Sequence, residues 1–357
     1  MCKVAQPSKT DAGETQNKPS FRFLMSLESF ETSATSTTIS STSSVSETSL
    51  KQETATTRQS SENEASHNTT YTCPSLSSCL LTGSVIVAVL TLMQVACYEI
   101  LTALEDAHPI LQDKTHRQIL ARHIGVDAFS CIAVSIFGWS CRHINQDVLR
   151  DVYHKTLGRW GGNQKTLSTM PAAGHEQRLF TYHPGGFRVA LFFFCYQVKN
   201  LYDTIVWNDG PEFIFHHIFS LFTAYGAMSP GCGHFYAIFF FGLCEISTGV
   251  LCLLANFDDE HGVPGLGDAF PMVKVALGAV FIFLFILCRC ILWPIFSYYF
   301  SRDVLLALKG SDSRTNERRK WMKFFLVSLT GLSLLQLAWL GQILVVAKEE
   351  LTSVGLL

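Results

Sequence analysis

Seven long apolar runs follow residue 80, and they restrict the fold to a helical membrane bundle. A helix that crosses a bilayer needs roughly 17–25 predominantly apolar residues. Only 16% of the residues are charged, against about 25% in an average soluble domain. The sequence therefore predicts an all-α, polytopic transmembrane bundle of about seven helices. The runs lie near residues 81–104, 121–141, 183–206, 210–229, 232–256, 271–300 and 321–347.

The first 80 residues have a different composition, dense in Ser, Thr and Glu and poor in aromatic side chains. Such a segment cannot bury enough apolar surface to offset the entropy lost on ordering, so we expect a disordered N-terminal tail over 1–80. The chain then divides into a first membrane helix with its loop (81–116), the main membrane domain (117–347) and a short C-terminal tail (348–357).

The orientation in the membrane is left open by two opposing signals. The connections 142–178 and 301–320 carry six basic residues each, which the positive-inside rule places in the cytosol together with the N-terminus. The first helix alone favours the opposite orientation, because basic residues follow it and none lies in the twenty residues before it. The glycosylation sequon at Asn68 also favours a lumenal N-terminus.

Ionisable side chains inside the apolar runs are the candidate site. Such groups are costly in a bilayer, so they usually face the protein interior and have a function. Residues His216 and His217 differ by about 100° around a helix, so both rings cannot point straight into one pocket. Arg289 needs a partner, for which Glu245 and Asp203 are candidates, and Asp203 can also pair with Lys199 four residues earlier. The predicted polar site comprises Tyr202, Asp203, His216, His217, Glu245 and Arg289.

These residues have two interpretations. They form a polar cavity that holds a lipid head group or carries out proton chemistry, or they lock the helices together through weak interhelical hydrogen bonds. We predict no metal site, because the remaining histidines are isolated, and no nucleic-acid partner, because the net charge is −2. A seven-helix receptor fits the helix count, but the last two segments lack the usual receptor motifs.

The order of these motifs resembles the TLC domain, the family of translocating-chain-associated membrane proteins, Lag1 ceramide synthases and a neuronal ceroid lipofuscinosis protein. The resemblance covers roughly residues 117–347. It rests on Tyr202-Asp203, the His216-His217 pair, the run that starts at Glu245, and Arg289 with a proline after it.

The resemblance implies an integral membrane protein of the endoplasmic reticulum or another endomembrane, whose partners are membrane lipids. It favours a role in lipid sensing, trafficking or membrane lipid composition, without a cofactor. The alternative is a ceramide-synthase-like N-acyltransferase with acyl-CoA as co-substrate, in which His216 or His217 is catalytic. The chain departs from that subfamily at Cys244-Glu245, where the synthases have His-Asp, and at Thr248, where they have a second Asp.

Overall fold

A computed structural model describes residues 74–146, 148, 174–229, 231–259, 262–310 and 313–353, and within these ranges the chain forms helices and no strands. Seven long helices account for most of it, which confirms the predicted all-α bundle. We number them α1 (Leu76–Ala103), α2 (Lys114–Ser140), α3 (Pro184–Trp207), α4 (Pro211–Met228), α5 (His234–Ala255), α6 (Pro271–Lys309) and α7 (Ser313–Ser353).

Five of the seven helices are long and apolar enough to span a membrane: α1, α2, α5, α6 and α7. The apolar part of α4 is shorter and covers Phe213–Met228. Helix α3 carries several polar side chains that are buried, among them Gln197, Lys199 and Asp203, because it packs against α1, α2, α4 and α5. The bundle therefore has a central helix that presents polar groups to its neighbours.

Two of the predicted boundaries differ from the observed helix ends. Helix α1 begins at Leu76, where the Ser75 hydroxyl accepts a hydrogen bond from the backbone N–H of Ser78. The first five residues of α1 thus belong to the segment that we assigned to the tail, and the predicted disorder of 1–73 lies outside the described residues. At the other end, α7 continues to Ser353 and includes most of the predicted C-terminal tail.

Three of the long helices contain a π turn, in which the backbone is wider than in an α-helix. The turns cover His123–Ala128 in α2, Ile238–Leu243 in α5 and Ile286–Leu292 in α6. The third ends two residues before Pro294, the residue that we expected to kink this helix. Proline lacks an N–H group, and its ring crowds the preceding helical turn. The π turn Ile286–Leu292 occupies that preceding turn.

Helices α2 and α5 approach each other closely at two glycines. A Cβ atom added to Gly138 would lie 2.8 Å from the backbone nitrogen of Leu243, and one added to Gly242 would lie 2.9 Å from the Cα of Gly138. The Ser135 hydroxyl donates across the same contact to the Gly242 carbonyl at 3.1 Å. This crossing holds the start of the α-helical part of α5, including Glu245, against α2.

The entrance to α2 is fixed by a conventional N-cap outside the spanning residues. The Asp113 carboxylate accepts a hydrogen bond from the backbone N–H of Thr115 at 2.6 Å. This bond favours the ionised form and lowers the pKa of Asp113 below its ordinary value.

Candidate functional site

The centre of the candidate site is an ion pair between α5 and α6. The Arg289 Nη2 atom donates to Glu245 Oε1 at 3.0 Å and to the Thr248 hydroxyl at 2.9 Å. Its Nε atom lies 3.4 Å from the Ser247 hydroxyl, and the guanidinium stands 5.3 Å from the ring centre of Trp293. Three short-range contacts and an aromatic face therefore fix the orientation of this cation. Of the two candidate partners that the sequence left open, Glu245 and Asp203, the structure pairs Arg289 with Glu245.

The two histidines point in different directions, as their separation along the helix requires. His217 is buried, and its Nδ1 atom lies 2.6 Å from Oε1 of Gln197 on α3. The His216 ring lies toward α7, with its centre 6.3 Å from that of Trp339. The ring centres of His216 and His217 are 5.3 Å apart.

Several groups at this site have hydrogen-bonding capacity that the described residues do not use. The Nδ1 atom of His216 is buried and has no hydrogen-bond partner. No described residue accepts a hydrogen bond from Nη1 of Arg289. On the far side of the pair, Oε2 of Glu245 meets only the Cys131 thiol at 3.8 Å. Buried polar groups are normally paired, so the unused Nδ1 atom of His216 marks a position where a polar ligand could bind.

Asp203 and Tyr202 lie away from this position. The Asp203 carboxylate pairs with Lys199 on the same helix, and Lys199 also donates to Gln94 on α1 at 2.9 Å. The Tyr202 side chain is 64% exposed on the opposite face of α3. Adjacent residues of a helix are about 100° apart, so Tyr202 cannot share the buried position of Asp203. The structure thus brings Glu245 and Arg289 together, places His216 against Trp339 of α7, and separates Tyr202 and Asp203 from the ion pair.

A third group of charges lies near the end of α6, and the sequence patterns did not reveal it. Arg178 donates to Asp303 through Nε at 2.6 Å and through Nη2 at 2.7 Å. The Tyr236 hydroxyl donates to the same carboxylate at 2.5 Å. These contacts join the short helix His175–Phe180 to α5 and α6, and the fully buried Asp303 has the character of a structural lock.

The described residues contain no group of three or more His, Cys, Asp or Glu side chains that could hold a metal ion. The ring of His234 instead contacts the backbone at the start of α3, beside His183, and at the end of α4. The backbone N–H of His183 donates to His234 Nδ1 at 3.3 Å, and His234 Nε2 lies 3.1 Å from the Ala227 carbonyl.

Comparison with known proteins identifies the family. The chain matches the sequence model of the TLC domain over residues 74–345. The match begins before α1, which we had left outside the resemblance. No curated protein and no solved structure matches the chain. Because the matched region covers well over half of the sequence, this integral membrane protein belongs to the TLC domain family.

Proposed function

We propose that this protein acts in lipid sensing, trafficking or membrane lipid composition by holding the polar head of a lipid between α4, α5, α6 and α7. One observation carries the proposal. Within the apolar bundle, the buried Nδ1 atom of His216 has no hydrogen-bond partner, and the ion-paired Arg289 keeps one nitrogen that no described side chain uses. Ionisable groups inside a membrane raise the free energy of the folded protein, so they are usually retained because they bind a ligand or take part in chemistry.

The chemistry of the site restricts the head group. Glu245 already balances the charge of Arg289, so a ligand with a full negative charge would have to compete with an ion pair that is formed. A neutral imidazole offers one donor and one acceptor, and the free guanidinium nitrogen offers donors. The site therefore suits a head group without net charge that carries hydroxyl, amide or zwitterionic groups. We place this lipid in the endoplasmic reticulum or another endomembrane.

The test is lipid co-purification. The native protein and the His216→Ala variant are extracted from the same membranes in a mild detergent, and bound lipids are identified by mass spectrometry. His143→Ala is the matched control, because His143 is an exposed histidine beyond the end of α2. We expect one lipid class to be enriched on the native protein and the control, and lost from His216→Ala. Identical lipid profiles for all three proteins would refute the head-group assignment.

A catalytic function is the second candidate, and the contact between His217 and Gln197 is the observation that favours it. The Oε1 atom of Gln197 is an acceptor, so it places the proton of the imidazole on Nδ1 and leaves Nε2 free to act as a base. In this alternative the enzyme transfers an acyl group from acyl-CoA to an amine. The amine nitrogen forms the amide bond, its proton passes to the histidine, and the coenzyme A thiolate leaves.

This alternative is tested with purified protein, labelled long-chain acyl-CoA and a panel of amines. A labelled amide that the native protein and His143→Ala make, and His217→Ala does not, would establish acyl transfer. The absence of product from folded native protein that carries a bound lipid would leave the head-group function.

A further inference from the structure

A second buried charge cluster lies beside the start of α4, the helix that carries His216 and His217. It joins α2, α3 and the link between α3 and α4. Arg122 on α2 makes a two-point contact with Asp209 in that link, with Nη1 at 2.9 Å from Oδ1. Lys199 and Asp203 form a second pair on α3. Asp127, in the π turn of α2, lies between the two pairs.

The formal charges in this cluster do not balance. It contains three carboxyl groups and two cations, and each cation is engaged by a carboxylate other than Asp127. The nearest cationic atom to Asp127 is Nε of Arg122, 3.9 Å from Oδ2, which is too long for a hydrogen bond. The Oδ1 atom of Asp127 is buried and has no hydrogen-bond partner. Nε of Arg122 is also buried without a hydrogen-bond partner, so at this distance neither group satisfies the other, and an ionised Asp127 would lack a donor in a membrane-spanning helix, which is costly.

A second buried acceptor without a hydrogen-bond partner, Oδ1 of Asn200, lies on α3. On one side of Asp127 the Cys131 thiol meets the Tyr196 hydroxyl at 3.3 Å, and on the other side Arg122 meets Asp209. Helices α2 and α3 are therefore antiparallel at this level. From this register we infer that Asn200, one turn beyond Tyr196, lies near the level of Asp127. Asn200 is 6% exposed, and its Oδ1 atom also has no hydrogen-bond partner.

We propose that Asp127 is a proton-binding site and that it is protonated in the folded protein at neutral pH. A proton on this carboxyl supplies the donor that the two facing acceptors lack, and the O–H group of Asp127 donates to Oδ1 of Asn200. It also makes the cluster electrically neutral, with two acid–base pairs and one uncharged acid.

Loss of the proton from Asp127 would also affect α4, the helix that carries His216 and His217. An ionised Asp127 would compete with Asp209 for Arg122, which is the only cation beside both carboxylates in the described part of the chain. Asp209 lies two residues before α4, so a weaker Arg122–Asp209 contact would loosen the start of that helix. The charge of Arg122 also acts on His217. The proton on Asp127 is thus coupled to the position of α4.

The ionisable groups around Asp127 come from every helix packed on this turn. Its own helix contributes Arg122, and α1 contributes Cys97, whose Cβ lies against Gly125. Helix α5 carries Cys252, which contacts Cys131 one turn away. The third helix and its link contribute Tyr196, Lys199, Asp203 and Asp209.

The first test uses the reactivity of a protonated carboxyl toward dicyclohexylcarbodiimide, an apolar reagent that enters membranes. The proton of the acid moves to one nitrogen of the reagent while the carboxyl oxygen bonds to its central carbon, so the adduct keeps every atom of both reactants. An ordinary aspartate, with a pKa near 3.9, is ionised at neutral pH and is not labelled in this way. We expect labelling of the purified full-length protein at Asp127, and not at Asp203, when the site is mapped by mass spectrometry.

The second test compares two isosteric substitutions by thermal unfolding in detergent. Asp127→Asn replaces a neutral acid by a neutral amide that can donate to Asn200, so its melting temperature should equal that of the native protein, and the label should be lost. Asp203→Asn removes the counter-charge of Lys199 and should melt several degrees lower. Absence of label at Asp127 would overturn the proposal, and so would an Asp127→Asn variant that is as unstable as Asp203→Asn.

Discussion

Breaking the contact between Arg178 and Asp303 should be one of the most destabilising conservative changes in this protein. Asp303→Asn keeps the shape of the side chain and removes the charge that two nitrogens of Arg178 share at 2.6 and 2.7 Å. Removing one member of a buried ion pair costs about 3–5 kcal/mol, because the other charge remains buried. Arg178 has a further contact outside this pair, so we expect a loss near the lower limit, about 3 kcal/mol.

Two companion variants separate the charge effect from packing. Tyr236→Phe removes one hydrogen bond to the same carboxylate and should cost about 1.5–3 kcal/mol. The double variant Arg178→Met/Asp303→Leu replaces the pair with apolar side chains and should recover most of the stability lost in Asp303→Asn. The assay is equilibrium unfolding in mixed detergent micelles with increasing SDS. A double variant whose loss equals the sum of the losses measured for Arg178→Met and Asp303→Leu separately would refute the pairwise coupling.

Three further predictions concern other parts of the bundle. Gly138→Ala should destabilise the fold by about 1–3 kcal/mol, because the added Cβ would clash with the backbone of α5. Gly331→Ala has open space around it and should be neutral or stabilise α7 by up to about 1 kcal/mol. Equal effects of the two substitutions in thermal unfolding would contradict the close crossing of α2 and α5. Glu245→Gln should destabilise the fold more than the double variant Glu245→Gln/Arg289→Gln, because the single change leaves Arg289 buried without its carboxylate. A double variant with a lower melting temperature than the single variant would contradict this prediction. Arg117 and Arg122, two of the charges that favour a lumenal N-terminus, are engaged in ion pairs within the bundle. We therefore expect the basic connections 142–178 and 301–320 to determine the orientation in the membrane, with a cytosolic N-terminus and an unglycosylated Asn68. A mobility shift that endoglycosidase removes would show the opposite orientation.

The helical architecture was predictable because membrane depth requires long apolar runs, and each of the seven predicted runs corresponds to a helix in the structure. The pairs within reach of local spacing were also predictable. Lys199 and Asp203 are four residues apart, and Glu245 was one of two partners proposed for Arg289. The cost of an ionisable side chain in an apolar run, which selected the histidines, also applies to Asp127 in the run 121–141, although Asp127 is not part of the predicted site.

Other features depended on packing that no local pattern encodes. Arg178 and Asp303 are 125 residues apart, so their contact is set by how the short helix docks on α6. Tyr202 was assigned to the site because it is adjacent to Asp203, yet the helix turns it to the outer face. The aromatic neighbours Trp293 and Trp339 gave no signal, because aromatic residues are common throughout these apolar runs.

The π turns connect helix length to chemistry in a way that would be visible in a deletion series. Asp127 and Arg289 lie within such turns, and Glu245 follows one after a single residue. A π turn accommodates one additional residue in the helix. Deleting one residue from Ile238–Leu243 would let the helix return to regular α geometry while the segments on either side keep their relative orientation, whereas deleting one residue from a regular α-helical segment would rotate everything after it by about 100°. The π turn therefore accommodates a residue without turning Glu245 away from Arg289, so the alignment of the polar groups in this membrane bundle should survive a deletion within the turn and be lost after a deletion outside it.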